Sequence, residues 1–370
     1  MSTATHREAV VIAVDSYDAH VGNGLLERAG EIIRTVAPAH RYAIISDDTV
    51  APLYAPRLRA SLGAAGAELF TIPPGEAHKT REQWARLTDA LLAAGFGRDA
   101  AILALGGGVV GDLAGFVAAT YMRGIPFVQL PTTLLAMIDA SIGGKTGVDT
   151  VAGKNLVGAF HRPRAVIADS SVLATLPANH LRSGLAEAIK HGAIADAQYY
   201  GSIERALPSI FAPHAEELLP LIARSIEIKS SIVRQDEREG GIRRNLNFGH
   251  TLGHAIESES GYTLLHGEAI AIGMVLETTL GEALGVTAPG SAARLRDTLR
   301  TAGLPTAVPG SLDPMRVLAA TRSDKKAREG VVEYALIAGI GRAIAGVRAP
   351  DEAVLAVLTQ SAETPERTAI

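Results

Sequence analysis

The sequence predicts an α/β domain built on a parallel sheet over residues 1–177, followed by a mostly α-helical domain over 178–370. Three observations carry this. Short aliphatic runs alternate with helical patterns up to about residue 170. That texture stops near 176–180, and helical periodicity dominates beyond it. At about 150 residues per domain, the 370 residues leave room for two domains.

Val10–Val14 and Tyr42–Ser46 read as buried strands, with helical patterns over Asn23–Val36, Pro52–Ala65 and Thr80–Ala94. Ala101–Leu105 is a further strand and runs straight into Gly106, Gly107 and Gly108; Phe127–Leu130 and Ala165–Ala168 are two more. In the second half, His180–Ile194, Ala215–Val233, Gly249–Ser258, His266–Leu284 and Ser291–Ala302 have helical spacing, and strand character returns at Val331–Ile337. The last dozen residues read as a polar tail.

Composition narrows the function classes. Hydrophobic residues make up 47% and charged residues 20%, the balance of a globular chain with a substantial core. A net charge of −4 with both signs interspersed offers no clustered basic face, so no nucleic-acid partner is expected. The absence of cysteine excludes disulfides, thiolate nucleophiles and cysteine-based zinc sites, and leaves His, Asp and Glu as metal ligands. Ala9–Val14 is too short for a secretory core, and no charge-free stretch of about 18 apolar residues exists, so no membrane span is expected and a cytoplasmic location follows by default.

Gly106, Gly108 and Gly111 fit the G-x-G-x-x-G spacing after a strand, where a backbone can approach a pyrophosphate at a helix N-terminus. Alone the motif is weak, because no acid follows about 20 residues on and a tight strand-to-helix turn explains it as well. Pro73-Pro74-Gly75-Glu76 and Pro131-Thr132-Thr133 also follow strand-like runs, and several such loops suit a dinucleotide crevice. Asp47, at the end of a strand, reads either as a ribose acceptor or as a helix cap.

His250 and His254 stand at i and i+4 on one helix face, a spacing that can chelate a metal. His266 opens the next helix. Glu187 is a carboxylate on an otherwise apolar helix face, and a buried carboxylate needs a partner such as a metal. An ordinary hydrogen-bonded histidine pair is the plainer reading of the spacing. Spacing alone assigns both His250 and His254 to the metal. Lys145 and Lys154 sit in glycine-rich loops that lack the full P-loop spacing, and with Lys190, Lys229 and Arg243 they could hold an anionic substrate.

Together these segments resemble the 3-dehydroquinate synthase family of the sugar phosphate cyclases. The resemblance covers nearly the whole chain. It is carried by PGEAHKT at 74–80, GGGVVGDLAGFVAATYMRG at 106–124, PTTLLAMIDASIGGKTGVD at 131–149 and GKNLVGAFHRPRAVIAD at 153–169. It continues through GLAEAIKHG at 184–192, DEREGGIRRNLNFGHTLGHAIE at 236–257, HGEAIAIGM at 266–274 and DKK at 324–326. The resemblance implies a Rossmann-like N-terminal domain, a helical C-terminal domain with the active site in a cleft between them, a homodimer, and NAD with one divalent metal, zinc or cobalt. The implied metal ligands are Glu187, His250 and His266, which moves His254 to the substrate. The implied NAD contacts are Asp47, Gly75, Glu76 and Lys79, then Gly108, Val109, Val110, Gly111 and Asp112, and Thr132 and Thr133, with Lys145 and Lys154 close by. The implied substrate contacts are Arg123, Asp139, Lys145, Asn155, Lys190, Lys229, Arg243, Asn247 and one lysine of the 325–326 pair, Lys326 in the first place.

The implied reaction converts 3-deoxy-D-arabino-heptulosonate 7-phosphate to 3-dehydroquinate and phosphate, a step of the shikimate pathway. It runs by transient NAD oxidation at C5, β-elimination of phosphate, return of the hydride, ring opening and aldol closure. The rivals are another sugar phosphate cyclase, an NAD-dependent polyol dehydrogenase and an inactive homologue. The lysine and arginine set disfavours a neutral polyol, and no expected site residue is missing.

Overall fold

A computed structural model describes residues 9–63, 66–212, 215–323 and 332–362. The chain divides into two compact units, one of residues 1–177 with 213–234 and the other of 178–212 with 235–370.

The first unit contains β1 (Val10–Ala13), β2 (Asp18–Gly22), α1 (Ala29–Val36), β3 (Arg41–Asp47), α2 (Ala51–Leu62), β4 (Ala67–Ile72), α3 (Arg81–Ala93), β5 (Ala100–Gly106), α4 (Gly108–Thr120), β6 (Phe127–Pro131), β7 (Lys145–Thr150), β8 (Gly153–Phe160) and β9 (Ala165–Asp169). Seven strands form one sheet in the order β1-β2-β9-β6-β5-β3-β4. Only the β1–β2 pair is antiparallel; the other pairs are parallel. β3, β5, β6 and β9 are buried along nearly their whole length, as strands covered on both faces must be. This is why they read as unbroken aliphatic runs. Ile45, Ile102, Leu113, Val117 and Phe127 belong to one core between α4 and the sheet.

All six parallel strands point the same way, so Asp47, Ile72, Gly106 and Pro131 end at one edge of the sheet. After β3 the chain crosses to β4 on one side, and β5 then joins β3 on its other side. The loops after β3 and β5 therefore diverge at a topological switch point, the place where open α/β sheets leave a crevice.

At Ala178 the chain enters the second unit with α5 (Ala178–Ala195) and α6 (Ala197–Ala206). α7 (Leu218–Gln235) groups with the first unit up to Arg234, although it follows the boundary expected near 177. Helical periodicity shows that a face is buried but not which core buries it. The second unit then continues with α8 (His250–Glu259), α9 (His266–Ala283), α10 (Ser291–Thr301), α11 (Pro314–Ser323), the hairpin β10 (Tyr334–Gly339) and β11 (Arg342–Val347), and α12 (Asp351–Gln360). Leu252, Ile256, Ile272, Leu276, Leu336 and Leu358 form its core.

The lysine segments read as loops are strands: Lys145 opens β7 and Lys154 is the second residue of β8, in an antiparallel hairpin. Glycines in both strands weaken the strand pattern in the sequence.

Candidate active site

In the first unit, the loops at the C-terminal edge of the sheet gather the residues expected around a dinucleotide. Gly75 follows β4 with φ +103, a conformation that favours glycine, and a Cβ there would meet no atom within 4 Å. α4 begins at Gly108, so Gly108, Val109 and Val110 are in its first turn, whose N–H groups point out of the helix towards any anion. A Cβ on Gly111 would stand 2.7 Å from the Gln129 amide oxygen of β6, so that glycine serves helix-to-sheet packing. The Thr133 hydroxyl accepts from Ala136 N at 3.1 Å and caps the next turn. Thr132 Oγ1 is buried and has no hydrogen-bond partner among the described residues. A buried hydroxyl in this state fits a ligand that completes it. Asp47 accepts from Thr49 N at 2.9 Å and Val50 N at 2.8 Å, so one of its oxygens is occupied as a cap before α2.

Lys79 is buried among three carboxylates, with Nζ 2.6 Å from Glu76, 3.4 Å from Asp112 and 3.6 Å from Asp149. Burial opposes its charge, yet Asp112, Glu76 and Asp149 outweigh burial and hold the ammonium above the ordinary lysine range. Burial pushes the Asp112 carboxyl up to about 6 against the pull of Lys79, and it also raises Asp149. Glu76, despite burial, is held low by Lys79. Asp149 was not expected in the site. It accepts from Asn155 N at 2.8 Å, and its own N–H donates to the Lys79 carbonyl at 2.7 Å. It thereby ties the 75–80 loop to the hairpin that bears Lys145, Lys154 and Asn155. Asn155 itself has φ +56.

Also in the first unit, Asp139 lies on a single π-turn, Ala136–Ala140. Lys229 of α7 donates to both its carbonyl and its carboxylate at 2.6 Å. These two expected substrate residues engage each other. Arg123 follows α4. It is exposed, has φ +69, and lies past the C-terminal end of α4, about 20 Å of helix from Gly108.

In the second unit, Glu187 of α5 is fully buried, with Oε2 2.5 Å from the buried Lys190 Nζ. Its Oε1 lies 3.5 Å from both His250 Nε2 and His266 Nε2. The outer ring nitrogens explain this orientation. His250 Nδ1 faces the Phe248 carbonyl at 3.0 Å, and His266 Nδ1 faces a Glu257 oxygen at 3.3 Å. A neutral ring that donates its N–H to this outer acceptor carries its lone pair on Nε2, the nitrogen on the side of Glu187. This donor set fits a divalent cation. The His266 ring is raised to about 9: burial lowers its basicity, but the hydrogen bonds to Glu187 and Glu257 prevail. Gly267 explains why His266 lands there. Its N–H donates to Ser183 Oγ at 3.0 Å, and a Cβ would overlap the Ser183 carbonyl at 2.1 Å, so α9 starts in contact with α5 one turn before Glu187.

His254 is close by. Its ring centroid is 5.1 Å from that of His250 and 5.7 Å from that of His266, and ligating atoms of the three rings lie within 4.8 Å of one another. Arg243 is buried, donating through its guanidinium to the Glu237 carbonyl at 2.5 Å and through its backbone to Asp236 at 3.0 Å. The Asn247 amide donates to Glu239 at 2.7 Å. Asp236, also missed, folds the loop by accepting from Gly240, Gly241 and Arg243 N–H groups. Lys325 and Lys326 lie outside the described residues.

Two family models match the chain one after the other. The 3-dehydroquinate synthase N-terminal model matches residues 69–183, and the 3-dehydroquinate synthase C-terminal model matches 184–327. A 3-dehydroquinate synthase of Rhodospirillum rubrum is 47% identical over 353 residues, covering 93% of this chain and 91% of the relative. One from Pelobacter propionicus is 46% identical, covering 90% and 93%. Among solved structures, 2-epi-5-epi-valiolone synthase from Streptomyces hygroscopicus with NAD+ and Zn2+ bound superposes with a TM-score of 0.85 at 32% identity, over 97% of this chain and 99% of that one. A 2-deoxy-scyllo-inosose synthase complexed with carbaglucose-6-phosphate, NAD+ and Co2+ also gives 0.85, at 25% identity over 95% and 99%. With both family models in sequence and near-full-length relatives at this identity, the chain belongs to the 3-dehydroquinate synthase family.

Proposed function

We propose that the chain is a carbon–oxygen lyase (EC 4.2.3.4) that converts 3-deoxy-D-arabino-heptulosonate 7-phosphate to 3-dehydroquinate and phosphate, using NAD and one divalent metal, zinc or cobalt. The observation that carries this reading is the convergence of His250 Nε2 and His266 Nε2 on the buried Glu187. Glu187, His250 and His266 would hold the metal, and the 75–79, 108–112 and 132–133 segments would hold the dinucleotide. When bound, NAD supplies reversible hydride acceptance and the metal supplies Lewis-acid polarisation of a hydroxyl.

The protein's own groups bind, orient and balance charge. The first turn of α4 directs N–H groups at the pyrophosphate. Lys190 compensates Glu187, so the carboxylate keeps its charge in a buried place. Lys229 is held by Asp139 in a position to meet an anionic group. Arg243 and Asn247, anchored to 236–239, orient the substrate carboxylate and hydroxyls, and His254 exchanges a proton beside them. The NAD-binding part is assigned to 1–177 and the metal- and substrate-binding part to 178–370, with α7 contributed to the former. The family resemblance also supports a homodimer and a cytoplasmic setting. No helix among the described residues is long and apolar enough to cross a membrane.

The test is phosphate release from the heptulosonate phosphate with NAD in catalytic amount, with sedoheptulose 7-phosphate and glucose 6-phosphate as competitors. Phosphate release without net NADH is expected. Preference for either competitor, or stoichiometric NADH, overturns the substrate assignment.

A further inference from the structure

α8 and α9 run as an antiparallel hairpin whose backbones touch. A Cβ on Gly273 would lie 2.0 Å from the Gly249 carbonyl and 2.7 Å from Gly253 N. Each helix begins with one of the proposed metal-binding histidines, His250 or His266. Each also carries a buried glutamate further along, Glu257 at 5% exposure and Glu277 at 0%. Glu257 is seven residues after His250, about two turns, and Glu277 is eleven after His266, about three turns, so each glutamate shares its own helix's histidine face.

The two carboxylates cross over. Glu257 of α8 reaches His266 at the start of α9, with Oε2 3.3 Å from Nδ1. Glu277 of α9 reaches the start of α8, accepting from Gly249 N at 2.6 Å and Leu252 N at 3.0 Å. The Gly249 N–H belongs to the same peptide unit as the Phe248 carbonyl, and that carbonyl faces His250 Nδ1 at 3.0 Å. Glu277 therefore holds the plane of the one peptide that orients His250. Burying a carboxylate costs several kcal/mol unless it is hydrogen-bonded. An ordinary helix cap needs no fully buried charge, since Ser, Thr or Asn does as well. A charged acceptor on the N–H side polarises the peptide and strengthens the carbonyl as an acceptor.

We propose that Glu257 and Glu277 are positioning residues for the metal. Glu257 fixes the His266 ring directly, and Glu277 fixes the His250 ring through the Phe248–Gly249 peptide, so that both Nε2 atoms face Glu187. The inference rests on the reading of Glu187, His250 and His266 as ligands. It assigns two residues that lie outside that set.

The test loads parent, E257Q, E277Q and H250A proteins with Co2+ and follows its release to excess chelator by visible absorbance. Thermal melting of each loaded protein is measured in parallel. Loaded protein is used so that a variant unstable without metal can still be read. Loss of such supporting partners weakens metal binding by roughly 10–100-fold, so release 10–100-fold faster is expected in both glutamine variants. A purely structural role lowers the melting temperature and leaves release unchanged. Release within twofold of parent in E257Q or E277Q overturns the assignment of that residue. H250A protein that retains Co2+ as parent does refutes the ligand set itself, and the inference with it.

Discussion

Around Lys79, one ammonium faces the carboxylates of Glu76, Asp112 and Asp149. Beside Glu187, three histidine rings cluster and Lys190 supplies an ammonium. The first group carries an excess of negative charge among groups the chain itself supplies. Burial, with the Glu76 charge adding to it, raises the proton affinity of Asp112 and Asp149. The charge of Lys79 is engaged by these carboxylates, and the N–H groups of the first turn of α4 remain suited to an anion. The second group gathers ring nitrogens oriented by their outer partners around one buried carboxylate, a donor set that suits a cation. One site is a cradle whose charges face one another, and the other is a set of donors.

That contrast is broken most directly at the donors. Glu187→Ala and His250→Ala should each lose bound metal and retain the fold. A metal used as a Lewis acid contributes several kcal/mol to the transition state. At about 1.4 kcal/mol per tenfold, kcat should fall by roughly 10²–10⁴. Metal content by elemental analysis beside the phosphate-release rate measures this. Full activity after verified metal loss would refute the assignment.

A middle effect is expected at the cradle, through pH. The folded protein holds the Asp112 proton up to about 6, against an ordinary value of 3.8. Between these values the folded state binds more protons than the unfolded chain, so this group's contribution to stability falls as pH rises from about 4 to about 6. Above that range it is constant. Glu76, held low, acts in the opposite sense and at lower pH. The stability of Asp112→Asn relative to parent should therefore climb between pH 4 and 6 and then level, in urea midpoints measured across that range. A relative stability that drops instead means that Lys79 outweighs burial and Asp112 serves as a plain ion-pair partner.

The legible parts of the molecule follow from the same contrast. Strands covered on both faces, such as Ala100–Gly106, announce themselves as aliphatic runs. β2, read as DAHVG, and the glycine-bearing β7–β8 hairpin do not, because their pattern is mixed. Glu187 stood out as a carboxylate on an apolar helix. Glu257 was detectable in the same way, seven residues beyond His250 on one face, and Glu277 three turns beyond His266. Asp149 and Asp236 were not, because their partners are backbone N–H groups in folded-back loops. Helical spacing put His254 with His250, and the geometry keeps it near both other rings.

The smallest expected effect separates ligand binding from folding at one atom. Thr132 Oγ1 is buried without a partner among the described residues, so in the ligand-free protein it costs stability. Thr132→Val keeps the shape and removes the polar atom. The ligand-free melting temperature should stay level or rise. If the dinucleotide supplies the missing partner, the same change removes a hydrogen bond worth about 0.5–1.5 kcal/mol, and NAD should bind roughly 2–10-fold more weakly. Calorimetric NAD titration beside a thermal melt reads both. Opposite signs mark a hydroxyl kept for its ligand. A lower melting temperature with unchanged NAD affinity would instead make Thr132 part of the sheet's own packing, and would remove it from the cradle.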